Sequence, residues 1–123
     1  MTQARQKVVK SAVVMANELK AEAILVFTRH GSMARYAGWL RPHYSTVYGL
    51  CARDTVARGL ALSWGVTPMV IPFDLINPQN TIETALKLMI EQGRLQKGQT
   101  VVIIGSILSG DQIIDAVQMR VVG

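Results

Sequence analysis

The chain has one cysteine, Cys51. No internal disulfide can form, so the core must hold the fold, and a reducing compartment, the cytoplasm, is the expected setting. Charge is also sparse. Only 17% of the residues are charged while half are hydrophobic, which excludes a disordered segment and suggests a sheet buried on both faces. Long hydrophobic runs are missing. None reaches the roughly 20 residues that span a bilayer, and Met1–Lys20 reads as an amphipathic helix, without the apolar centre and cleavage site of a signal peptide. No membrane partner is expected. The two histidines, His30 and His43, stand thirteen apart with no cysteine or carboxylate cluster beside them, so no metal site is expected. There is no G-x-G-x-x-G, P-loop or G-x-S-x-G. No cofactor and no catalytic residue are therefore assigned. Lys and Arg never cluster among aromatic residues, which argues against nucleic acid as a partner.

What remains is one domain over residues 1–123. Its charge is uneven: residues 1–61 hold nine Lys/Arg against three Asp/Glu, residues 62–123 four against five. A basic half suits an anionic metabolite, or simply solvated helix faces.

Val8, Val9, Ala12, Val13, Ala16 and Leu19 repeat at helical spacing, predicting a helix over Arg5–Leu19. Ile24–Phe27 has no polar alternation and reads as a central strand. Ser32 is placed to cap a second helix that runs to Leu40, ahead of Pro42. Thr46–Leu50 is a second strand. A third helix starts at Asp54, whose carboxylate suits the dipole, and ends at Gly65. Thr67–Ile71 is the third strand, limited by Pro72. Asn77-Pro78 reads as cap and first helical residue of a fourth helix that Gly93 closes. The fourth strand is Gln99–Gly105, followed by a loop at Ser106–Gln112 and a last strand over Asp115–Val122. Crossovers of this length give a parallel sheet covered by helices on both faces. No helix separates the last two strands, so the fifth should run antiparallel at an edge. There its apolar residues invite a partner.

The segment Ala23–Arg35, AILVFTRHGSMAR, carries the chemistry. An apolar strand ends at Thr28 and breaks into a polar loop that opens a helix. Free N–H groups and the helix dipole favour anions at such a junction. Thr28, Arg29, His30, Gly31 and Ser32 are the candidate ligand contacts, with Ser106 offering a hydroxyl and N–H from the fourth strand's end. Arg29 is either a ligand contact or a solvated charge. Ser32 is a cap, a contact, or both; Arg35 is a contact or a surface residue. Nothing in the sequence orients His30 as a base. Cys51 reads as a buried small hydrophobe and Trp64 as packing between the third helix and third strand. Met89 and Met119 read as core or interface filler.

Several stretches together resemble one known family. T-R-H-G-S-M-A-R follows strand 1, then come R-P, V-A-R-G-L-A-L-S-W-G-V-T-P (Val56–Pro68) and G-R-L-Q-K-G-Q-T (Gly93–Thr100). In this order and spacing they resemble the C-terminal domain of pyruvate kinase over nearly the whole chain. The resemblance implies a three-layer α/β/α domain with a mixed five-stranded sheet in the order 3-2-1-4-5. It also implies a crevice between strands 1 and 4, where those enzymes take a phosphorylated effector. Their catalytic barrel lies upstream of this domain, so the matched part is expected to be no enzyme by itself. Thr28, Gly31 and Ser32 keep the family's hydroxyl-glycine-hydroxyl pattern; Arg29, His30 and Met33 replace hydroxyl residues. The loop before the last strand is represented by Leu108-Ser109-Gly110-Asp111. No tryptophan or arginine for a second phosphate stands near Asn77–Thr81. The resemblance further implies a homo-oligomer, for which the last strand, Ala116–Val122, is the candidate surface.

Overall fold

A computed structural model of the chain describes residues 1–109 and 112–123. Gly110 and Asp111, in the loop before the last strand, lie outside the described residues. The elements are α1 (Gln3–Leu19), β1 (Ala23–Phe27), α2 (Ser32–Trp39), β2 (Thr46–Cys51), α3 (Asp54–Ala61), β3 (Val66–Val70), α4 (Pro78–Glu91), β4 (Thr100–Ser109) and β5 (Gln112–Val121). They form one sheet in the order β3-β2-β1-β4-β5. The first three neighbouring pairs are parallel and β4–β5 is antiparallel. The three-layer arrangement and the sheet order expected from the sequence are both present.

The side chains of β1 point alternately to two cores. Ile24 and Val26 face α1, α2 and α3, meeting Val9, Ala12, Ala16, Ala34, Ala37 and Leu60. Ala23 and Leu25 face α4, where Ile82, Ala85 and Met89 supply the apolar stripe. With parallel neighbours on each side and helices above and below, Ala23–Val26 are fully buried. This burial explains the strand's unbroken apolar composition. Cys51 is likewise buried, packed with the α1–α3 core.

Three of the boundaries that differ from the sequence expectation have a visible structural cause. Ser32 is the first residue of α2, and Gly31 occupies the cap position at φ 99°. The Thr28 hydroxyl accepts the Gly31 N–H at 2.8 Å, which folds the loop into the left-handed turn that glycine adopts without a steric cost. The helix therefore begins one residue earlier, and Ser32 makes no side-chain cap. At the other end of the α2–α3 layer, α3 stops at Ala61, well before Gly65. Gly65 is left-handed at φ 76°, and a Cβ there would stand 3.2 Å from the Gly38 carbonyl oxygen. The turn before β3 is thus set by close backbone approach to α2 and not by the end of a helix. That turn carries Trp64 outward, 67% exposed, instead of packing it between α3 and β3.

The third difference is the segment Ser106–Gln112. β4 continues to Ser109 and β5 starts at Gln112, paired from Thr100↔Val121 to Ser109↔Gln112. Gly105 and Ser106 suggest a loop locally, but cross-strand pairing on both arms overrides that preference. The arms pass beyond the last β1–β4 pair, Val26↔Ile104, and project past the carboxyl end of β1. The expected cap and first helical residue at Asn77 and Pro78 are both found, with the Asn77 side chain accepting the Gln79 N–H at 3.2 Å.

α2 and α3 cross β2 at Gly49, where a Cβ would meet Leu60 Cδ1 at 2.8 Å and Ala34 Cβ and Val66 Cγ1 at 3.2 Å. Gly49→Ala is expected to destabilise the fold by about 1–3 kcal/mol through overpacking. Chemical denaturation should show the midpoint falling at unchanged slope; a wild-type midpoint would contradict this packing.

Candidate functional site

Chain direction reverses between β1 and β4. From β1 the chain moves outward through α2, β2, α3 and β3; it returns through α4 to the other side of β1. In open α/β sheets ligands bind at such a reversal, outside the strands' carboxyl ends. The Thr28–Gly31 loop lies on one side of it, as one wall, and the β4–β5 arms continue on the other.

Thr28 is buried, its N–H bonded to the Leu50 carbonyl at 2.9 Å and its hydroxyl holding Gly31. It builds the loop and leaves the surface to its neighbours. Arg29, His30 and Ser32 are exposed. The first turn of α2 has no side-chain cap, which leaves N–H groups directed into this region. Ser106 stands in β4 opposite Asp115 and donates its hydroxyl to Asp115 Oδ1 at 2.7 Å. Asp115 Oδ2 also receives Arg5 Nε at 3.1 Å. The far wall therefore presents a serine oriented by a carboxylate that α1 partly neutralises.

Arg53 joins the site although the sequence reading did not place it there, and Arg35, which the sequence left as a contact or a surface residue, reaches it too. Arg53 follows β2, and its Nη2 lies 3.4 Å from His30 Nδ1. Arg35 reaches back over the loop: Cβ atoms at Gly31 and Gly59 would stand 3.2 and 3.0 Å from its guanidinium, so both glycines make room for it. Its Nε donates to Ser63 Oγ at 3.2 Å. Arg53 had a readable signal, since in a doubly wound sheet every loop after a parallel strand gathers at one end. The Arg35 position depends on space at Gly31, one helical turn back, and at the distant Gly59, and the second left no local signal. Among the described residues the ion pairs are Arg5–Asp115 and Arg58–Asp54. Arg29, Arg35 and Arg53 have no carboxylate partner among them.

A family model described as pyruvate kinase, alpha/beta domain, matches residues 6–117. The chain belongs to that family. It is 36% identical over 92 residues to pyruvate kinase of Clostridium acetobutylicum, an alignment covering 75% of this chain and 19% of that protein. Pyruvate kinase isozyme G, chloroplastic, of Nicotiana tabacum is 37% identical over 92 residues, covering 75% and 16%. In structure the chain resembles Cryptosporidium parvum pyruvate kinase in complex with ADP, with a TM-score of 0.87 and 23% identity over the whole of this chain and 24% of that one. That likeness concerns the fold. The chain spans about a fifth of the length of these pyruvate kinases.

The loop between β3 and α4 is organised by one carboxylate. Asp74 closes it, accepting N–H bonds from Ile76 and Asn77 at 2.9 Å and the Asn80 amide at 3.0 Å. These bonds hold the Asp74 carboxyl below its ordinary range, the Asn77 N–H contributing most. Cys51 shows the opposite shift: burial pushes its thiol up, so it stays protonated at neutral pH. Among the described residues, no helix is long and apolar enough to cross a membrane.

Because the folded-state pKa of Asp74 is lowered, its stabilisation is present above the unfolded carboxylate range and disappears as pH falls through the folded value. Asp74→Asn should therefore reduce the melting-temperature gap between neutral pH and the acid side of that range. An unchanged gap would show that the turn's hydrogen bonds do not depend on the ionised carboxylate.

Proposed function

We propose that this domain is a regulatory module that binds a phosphorylated small metabolite in the β1/β4 crevice and does no catalysis by itself. The observation that carries this reading is the convergence of Arg29, His30 and Arg53, without a carboxylate partner, on a loop that ends at the uncapped N-terminus of α2. Backbone N–H groups and guanidinium forks are the two donor types that phosphate takes best. Thr28 and Gly31 shape the loop, Arg29, His30 and Ser32 contact the anion, and Ser106 flanks it with a hydroxyl oriented by Asp115. The Asp115 carboxylate on the far wall favours one phosphate at the loop over two across the crevice.

Phosphoryl transfer belongs, on this reading, to the catalytic barrel of the pyruvate kinases that the chain resembles. The glycolytic role of those enzymes then gives the domain its setting: it modulates, and a sugar phosphate is the natural effector class. No cofactor, metal, membrane or nucleic acid enters this reading. The compartment follows from the free cysteine as a reducing one, the cytoplasm first, although the relatives include chloroplast proteins.

A second role has its own observation. β5 is the sheet's last strand, and Met119 and Val121 on it are 49% and 62% exposed. An apolar edge of this kind suits two-fold pairing with a second copy through Ala116–Val122.

A low-salt thermal-shift titration with fructose 1,6-bisphosphate, glucose 6-phosphate and ribose 5-phosphate tests the first role. A ligand at about 100 times its Kd stabilises the fold by roughly 2.7 kcal/mol. Arg29→Ala should reduce the shift, whereas Arg94→Ala, which removes a guanidinium seated over the Tyr48 ring, should not. Equal losses would mean diffuse charge in place of a site. For the second role, Val121→Lys at an exposed position should move the mass in solution toward monomer; an unchanged mass rejects pairing through β5.

A further inference from the structure

Two exposed apolar features of the surface complement each other. The first is a groove of about 520 Å³ along α2, bounded among others by Arg35, Tyr36, Trp39, Arg41 and Trp64. Both indoles are largely exposed, Trp39 at 71% and Trp64 at 67%. The Tyr36 ring stacks on Trp39 at 5.9 Å and the Arg41 guanidinium sits 4.8 Å over Trp64. That leaves each indole a second face. Arg35 and Arg41 have no carboxylate within ion-pair distance among the described residues. The second feature is a knob in the loop between β3 and α4, where Leu75 and Ile76 are 85% and 96% exposed. The loop beneath them is fixed. The Asp74 carboxylate accepts the Ile76 and Asn77 N–H groups at 2.9 Å, and the Asp74 N–H donates to Thr81 Oγ1 at 2.7 Å. Phe73 packs its ring against Phe27 at 6.1 Å. From Gly59 to Leu86 the chain carries Asp74 and Glu83 and no Lys or Arg.

We propose that the Leu75–Ile76 knob of one copy docks into the Trp39/Trp64 groove of a second copy, in a head-to-tail contact. Apolar side chains left this exposed mark interaction surfaces. The charges match as well, since a cationic groove meets a segment whose only charges are acidic. A knob whose backbone is already held in place loses little freedom on docking. One copy cannot fill its own groove. Trp64 precedes β3 and the knob follows it, so they stand at opposite ends of that strand. The knob's loop also leads to α4, on the face of the sheet opposite α2. A contact between two different patches adds copies in a row and does not close at two. This separates it from pairing through β5, in which one strand meets its own counterpart, and it does not depend on the phosphate site. Contacts built on two side chains belong with the small interfaces, below about 1,200 Å², so the association is weak and grows with concentration.

The two tryptophans of the chain both line the groove, so their emission reports its occupancy without any substitution in it. The experiment follows sedimentation equilibrium and tryptophan emission over a concentration series of the full chain carrying Val121→Lys, which removes pairing through β5. The average mass should rise past two copies without a plateau, and the emission should move to shorter wavelength in step. Leu75→Ser/Ile76→Ser and Trp39→Ser should each weaken the association about tenfold or more, on the scale of one interface hot spot. Val14→Ser, at an exposed apolar position of α1, should leave it unchanged. All of these positions are exposed, and an unchanged denaturation midpoint checks each variant. Mixing the knob variant with the groove variant should restore one contact, because each supplies the half that the other lacks. The mixture should then stop at a one-to-one pair. Mixing that restores nothing overturns the proposal in favour of a contact between identical patches. An equal loss in Val14→Ser overturns it in favour of general adhesion. Mass and emission that stay constant at every concentration overturn the second copy as the occupant and leave the groove to a different partner.

Discussion

Ala23–Val26 of β1 are shut away from water, with their side chains closed in from above and below. Their N–H and C=O groups must therefore be taken up by strands on both sides, and β2 and β4 supply them in parallel register. Parallel neighbours require crossovers, and crossovers require helices. The chain leaves β1 through α2 toward one edge and comes back through α4 from that edge to the other side. The reversal beside β1 is the consequence, and with it the crevice at its carboxyl end.

That origin explains why the cationic residues meet there. Arg29 follows β1 and Arg53 follows β2, so parallel strands bring both to the same end of the sheet. Arg35 arrives by a different route, passing between two glycines whose missing side chains leave room for its guanidinium. Excess positive charge costs little at an exposed rim, where water screens it. It becomes useful when an anion displaces that water. The far wall counters with Asp115, which draws Arg5 of α1 and Ser106 of β4 together. The two walls therefore differ: among the described residues, unpaired cations stand on the loop side and a carboxylate on the hairpin side.

The same glycine logic governs the α2–α3 layer. Gly38 and Gly65 let α2 and the turn before β3 approach at backbone distance. The close approach carries the turn's remaining side chains outward, so Trp64 ends on the surface beneath Arg41 and beside the Trp39 stripe. A large indole kept exposed forgoes the burial that would otherwise stabilise the fold. The groove is thus a product of packing between elements and not of any local pattern.

The order of strands and helices, the central position of β1, the antiparallel last strand and the Asn77 cap could all be read from the sequence. Each rests on local periodicity or on a residue acting within a few positions of itself. Membership of the pyruvate kinase family also lay in ordered local motifs. The loop Thr28–Ser32 was visible because the strand-to-helix junction is contiguous. Tertiary structure alone decided the rest. The β4 and β5 arms held each other extended through Ser106, and Trp64 turned outward. Arg35 and Arg53 reached the loop from outside it. In each of these the deciding neighbour lies beyond the chain's local reach, or is a steric gap at a glycine, and neither leaves a mark in hydrophobic spacing.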